Sequence, residues 1–271
     1  MLLLAADNAR AFAQKITSAF RDLMRSQRKE MMYVSGLLLV LIVLFWRLWD
    51  TRFLPEKSDG QVFTGGSCWA DLPIHLHLAN TFLLGRNQDV SFKEMHSPIF
   101  AGKQMSYPFL PDFHAAIMVR LGSEMRWSML IPGFLLFLSL MGLVYRLNTR
   151  LMGHRMAALA SVVLILFAGG VGGINMWRIM DWERLMSKDP IQDDAPPRGD
   201  SSVFWFGFLT HVLMPQRGAT FAYPVCLVVI LLVLQATRST RDLTLADRRR
   251  LIVLAGFLAS LLPLVHVRTT I

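Results

Sequence analysis

The stretch Trp69-Ala70-Asp71-Leu72-Pro73-Ile74-His75-Leu76-His77 sets one carboxylate and two imidazoles within seven residues. Asp71 and His75 are four positions apart, so a helix places them on one face. A carboxylate beside an imidazole can act as a general base on a hydroxyl or contribute to a divalent-cation site. Two ligands do not make a metal site, so any such cation would rest on Asp71 with partners from elsewhere. His77 falls on another face and reads as a packing or interface residue. Asp71 also has a purely structural reading. It precedes Leu72-Pro73, an apolar run from Ile74 to Leu84 and then Gly85, a complete start-to-stop helix signature with Asp71 as N-cap. Capping and chemistry are compatible, and both stay open here.

Further polar residues recur downstream. A second helix is predicted from Pro111-Asp112 through His114 to a stop at Gly122, with Asp112 complementing the helix dipole. Met214-Pro215-Gln216-Arg217-Gly218 leads into an apolar segment. An arginine there suits a lipid-linked phosphate, which it can grip by two hydrogen bonds; the competing reading is snorkelling toward headgroups. His266 lies near the end of the last apolar segment.

The elements that must position these residues are predicted to be transmembrane helices. Of 271 residues, 54% are hydrophobic and 17% charged, and the mean hydropathy is +0.42. That is too apolar for an ordinary soluble domain. Five segments read as spans: 33–49, 127–145, 156–174, 220–236 and 251–267. Each is near the roughly 17–25 residues a helix needs to cross the hydrocarbon core. The predicted class is therefore an all-α polytopic bundle, with interfacial helices in a long first outer loop. Trp46 and Trp49 read as an aromatic pair at the membrane–water boundary.

Charge orients the bundle. Segments 1–32, 146–155 and 237–250 hold fourteen basic residues against five acidic ones. The long loops 50–126 and 175–219 hold twelve basic and fourteen acidic residues. Basic segments stay cytoplasmic, so the N-terminus is expected inside and both long loops in the lumen or exterior. This sidedness gathers Asp71, His75, Asp112, His114, Arg217 and His266 on one face of the membrane. The net charge of +9 then reflects topology, and no nucleic-acid motif accompanies it.

The remaining signals are weaker. Met1–Ala6 lacks the positive start of a cleavable signal, and Phe12, Ile16, Phe20 and Leu23 oppose Arg10, Arg21, Arg25 and Arg28 on a helical wheel. An amphipathic helix on the cytoplasmic surface is predicted there. Cys68 and Cys226 fall in different elements and are not expected to pair; no zinc spacing occurs. Gly169–Gly173 marks a span end, 189–197 an acidic proline-rich loop, and 203–209 an aromatic run suited to the lipid surface.

The outer-loop Asp71 and its surroundings carry a resemblance. The stretches Gly65–His75, Ser106–His114 and Leu213–Gly218 look like those of poorly characterised C-type polytopic glycosyltransferases, and the likeness of pattern covers most of Asp50–Val267. The early outer-loop Asp is the hallmark of that group. The resemblance implies transfer of a sugar from a polyprenyl-phosphate carrier to an acceptor on the lumenal or outer face. Asp71 would be the base or metal-associated carboxylate, with His75 beside it. Arg217 would neutralise the departing phosphate, and Gln216, His114, Asp112 and His266 would line the substrate and lipid-phosphate site. It implies the endoplasmic reticulum membrane, with a plasma membrane as the other compartment. It also implies more spans than five, so the chain is expected to be a truncated piece or a non-catalytic relative. The second acidic residue usual beside the hallmark Asp is absent, since Ala70 and Leu72 flank Asp71. The competing class is a multispan scaffold or accessory subunit with membrane-protein partners. Such a protein would tolerate Asp71→Asn.

Overall fold

The computed structural model describes residues 39, 42–56, 61–64, 68–91, 93–167, 208–237 and 243–266. These divide into two units, Met1–Leu48 and Trp49–Ile271. In the first unit, residues 42–48 are helical and Leu39, Val43 and Leu44 are exposed. The expected cytoplasmic helix, the glycine run and the acidic proline-rich loop lie outside the described residues, as do 33–38, 40 and 41 of the first expected span and most of the aromatic run.

The second unit is helical, and its described residues contain no strand beyond two isolated bridges, Glu56 with Val62 and His96 with Gln104. Its helices are α1 (Cys68–Leu83), α2 (Leu110–Arg120), α3 (Met125–Met152), α4 (Arg155–Phe167), α5 (Arg217–Thr237) and α6 (Leu245–Val265). A π-helical turn, Leu209–Leu213, precedes α5.

Two described helices, α3 and α5, are long and apolar enough to cross a membrane. At 1.5 Å per residue they measure about 42 and about 31 Å, against a hydrocarbon core of about 30 Å. Less than half of either apolar window is buried within the molecule. The other expected spans are not matched in full. The segment expected over 156–174 is described as far as Phe167, where it is the helix α4; 168–174 lie outside the described residues. The one expected over 251–267 is the distal part of α6, whose early turns carry Arg248, Arg249 and Arg250.

Local chemistry sets the helix ends. Gly153 closes α3 with φ 67° and donates its N–H to the Thr149 carbonyl at 3.0 Å, a left-handed cap that suits glycine. Thr244 and Asp247 start α6 with a reciprocal capping box. The start of α1 differs from expectation. The helix begins at Cys68, so Asp71 sits inside the first turn rather than at the N-cap, with Pro73 also inside the helix.

Packing places the polar end. α3 packs on α4 and α5, α5 packs on α6, and α1 and α2 pair beside them. Phe82, Met95, Phe109 and Ala116 form one apolar core between α1, α2 and the loop joining them. Ala222, Leu262 and Val265 form another, joined by Leu110 and Phe221. Trp49 is not an interface aromatic. It is fully buried, stacked on Phe53 and packed against Phe134 and Phe137 of α3. The Asp50 carboxylate pairs with Arg126, which also donates to the Phe53 carbonyl at 3.3 Å. Residues 49–53 are thereby fixed to the start of α3.

Candidate active site

Three residues far apart in sequence form a buried ionic chain. Asp112 in α2 has no solvent exposure; its Oδ1 accepts from Arg217 Nε at 3.2 Å, and its Oδ2 lies 2.9 Å from His75 Nδ1. Arg217 also donates to the Met129 carbonyl and to the Pro111 carbonyl, each at 3.1 Å. One guanidinium thus ties α5 to α2 and α3, and the carboxylate between them ties in α1. A carboxylate accepts only, so the Nδ1 of His75 is the donor to Asp112. A charged pair this deep is tolerable because each ion has several partners.

Beside this chain lies a cavity of about 240 Å³, lined by Asp71, His75, Tyr107, Pro108, Gln216, Gly218, Val265 and His266. The Asp71 carboxylate makes no hydrogen bond or ion pair with a described residue, and the Gln216 side-chain amide makes no hydrogen bond to one. Asp71 therefore shows no capping contact among the described residues. His266 packs edge-on to Tyr223 with ring centroids 6.2 Å apart.

The cavity wall depends on close backbone approach. A Cβ on Gly218 would come within 2.7 Å of the Val265 carbonyl oxygen and 3.1 Å of His266 Cδ2. Backbone cannot yield cheaply there. Gly218→Ala is expected to cost about 1–3 kcal/mol of stability, as overpacking does. A lowered thermal midpoint of the purified chain would register it; an unchanged midpoint would show that α5 and α6 do not meet this closely.

Of the residues singled out in the sequence, Asp71, His75, Gln216 and His266 line the cavity. Asp112, Arg217 and His114, expected at the substrate and lipid-phosphate site, are not among its lining residues. Arg217 is 3% exposed, and its guanidinium meets protein groups rather than the cavity. Asp112 is the acceptor behind His75. His114 packs edge-on to Phe221 at 5.7 Å, and its buried Nδ1 has no hydrogen-bond partner among the described residues. Burial, reinforced by the Arg217 charge, lowers the His114 pKa and favours the neutral ring. His77 is exposed and bonds the Pro98 carbonyl at 3.0 Å, a loop contact.

Tyr107 was not foreseen. It lies in a segment that stands out in the sequence for its prolines and Asp112, yet its ring packs edge-on to His75 at 6.3 Å. Tyrosine chemistry alone gave no signal; only the fold brings it to Asp71. A cation has little to hold it among the described residues, which contain no group of three or more His, Cys, Asp or Glu arranged to bind a metal.

Among known proteins, no family model matches this chain, and no curated protein or solved structure matches it significantly.

Proposed function

We propose that the protein is an integral multi-pass membrane transferase. In this reading it moves a sugar from a polyprenyl-phosphate carrier to an acceptor hydroxyl at the lumenal or outer face of the endoplasmic reticulum membrane. One observation carries the reading: a carboxylate with no hydrogen bond or ion pair to a described residue, Asp71, shares a cavity with His75, which is itself held by Asp112. A carboxylate with no hydrogen bond or ion pair to a described residue, beside an imidazole of fixed orientation, is an arrangement suited to deprotonating a hydroxyl.

Membrane insertion is supported by the outward-facing apolar surface. Leu135 on α3, Leu164 on α4, and Val253 and Phe257 on α6 are all more than half exposed, more apolar area than a soluble surface leaves uncovered. The basic residues Arg146, Arg150, Arg155, Arg248, Arg249 and Arg250 fall at the helix ends opposite the cavity. That separation supports a cytoplasmic N-terminus and an outer-facing site.

The chemistry follows from the lining. Asp71 takes the proton of the acceptor hydroxyl as its oxygen attacks the anomeric carbon. The bond from that carbon to the phosphate oxygen breaks, the electron pair leaves with the phosphate, and configuration inverts. Gln216 and His266 supply donors for the carrier phosphate in place of Arg217. Arg217 instead fixes Asp112 and, through it, His75. No step is routed through a cation.

Membranes expressing the full chain, supplied with polyprenyl phosphate carrying radiolabelled mannose or glucose, test this directly. Label released to water or to endogenous acceptors above that of membranes lacking the chain is expected. Release no greater than in those membranes would overturn the reading and favour a scaffold.

A further inference from the structure

We propose that Tyr107 and Asp71 grip the same acceptor hydroxyl: the Tyr107 phenol donates to the oxygen whose hydrogen points at Asp71. This rests on the transferase reading and adds a residue to it.

Tyr107 is 44% exposed and lines the cavity together with Asp71 and His75. Its phenolic oxygen has no hydrogen-bond partner among the described residues. The edge-on packing against His75 and the following Pro108, which disfavours helical backbone at Tyr107, fix where the ring stands. His75 is held in turn by Asp112 and Arg217, so the phenol is positioned by a chain of buried contacts reaching α5. Burial and the charges of Asp71 and Asp112 raise its pKa, so the phenol keeps its proton and acts as a donor.

A donor and an acceptor facing one small cavity complement a hydroxyl, which is both at once. The ligand oxygen accepts from Tyr107 while its hydrogen goes to Asp71. As the proton moves to Asp71, negative charge grows on that oxygen and the hydrogen bond from Tyr107 strengthens. Tyr107 keeps its proton throughout; the new bond joins the oxygen to the anomeric carbon, and the phosphate departs with its electron pair. An interaction that tightens as charge develops raises turnover more than it raises affinity.

Tyr107→Phe removes the donor and retains the ring against His75. With the radiolabelled polyprenyl-phosphate donors, its kcat is expected to fall roughly 10- to 100-fold, the range for a hydrogen bond to a charged group. KM for the donor is expected to stay within about twofold, since the contact forms in the transition state. The thermal midpoint of the purified variant should match wild type. An active wild type with an equally active Tyr107→Phe overturns the assignment of Tyr107 and leaves the transferase reading standing. A fall in kcat accompanied by a lowered midpoint also overturns it, in favour of a structural role for the hydroxyl. A wild type without transfer overturns both.

Discussion

Arg217→Met is expected to destabilise the folded chain by about 3–5 kcal/mol, the cost of leaving one member of a buried ion pair alone. The reason is the position of Asp112, which has no solvent exposure and whose charge is balanced by that guanidinium. The substitution also leaves the Met129 and Pro111 carbonyls without their donor. A methionine fills much of the same volume, so lost packing is a small part of the effect. Adding Asp112→Leu should recover a large part of the loss, because it removes the stranded charge; the two residues touch, so their effects are not additive. Denaturant or thermal unfolding in detergent would measure both. A single variant as stable as wild type would mean that the three helices are not held through this pair.

Asp71→Asn is expected to do the opposite, lowering turnover by about 10²–10⁴-fold with no change in stability. Its carboxylate makes no hydrogen bond or ion pair with a described residue, so the fold loses nothing when the charge goes. Asparagine keeps the shape and cannot take a proton. If Asp71 served chiefly as a helix cap, Asp71→Asn, which caps equally well, would leave both turnover and stability unchanged, and Asp71→Ala would cost about 0.5–2 kcal/mol of stability while turnover persisted. Comparing turnover and thermal midpoint in one preparation separates the two roles.

Parts of this architecture were legible from the residues alone. The long apolar runs of α3 and α5 announce themselves by hydropathy, and the paired loop helices by their Pro and Gly punctuation. The start of α1 was not, because an Asp two residues before a Pro fits an N-cap and a first turn equally well. The helix starts four residues earlier than that reading, which moves Asp71 from the cap into the first turn. Residue type suggested a phosphate partner for Arg217, and gave no sign that its guanidinium is buried and bonded to Asp112 and two backbone carbonyls. The link between His75 and Asp112 spans 37 residues and depends on how α1 packs on α2, which no local pattern encodes. Tyr107 escaped notice for the same reason. Trp49 illustrates a further gap, since an aromatic near a span end can face lipid or a neighbouring helix, and here Phe134 and Phe137 provide the better partner.

The central claim is that Asp71 and Gln216, 145 positions apart in the chain, face one cavity on one side of the membrane. Cysteines placed at both positions, treated with a short membrane-impermeant bifunctional thiol reagent and then cleaved by protease between them, test it. The native Cys68 and Cys226 serve as the background control. Two fragments that remain joined only when both new cysteines are present are predicted. Fragments that separate although each cysteine labels singly would contradict the account.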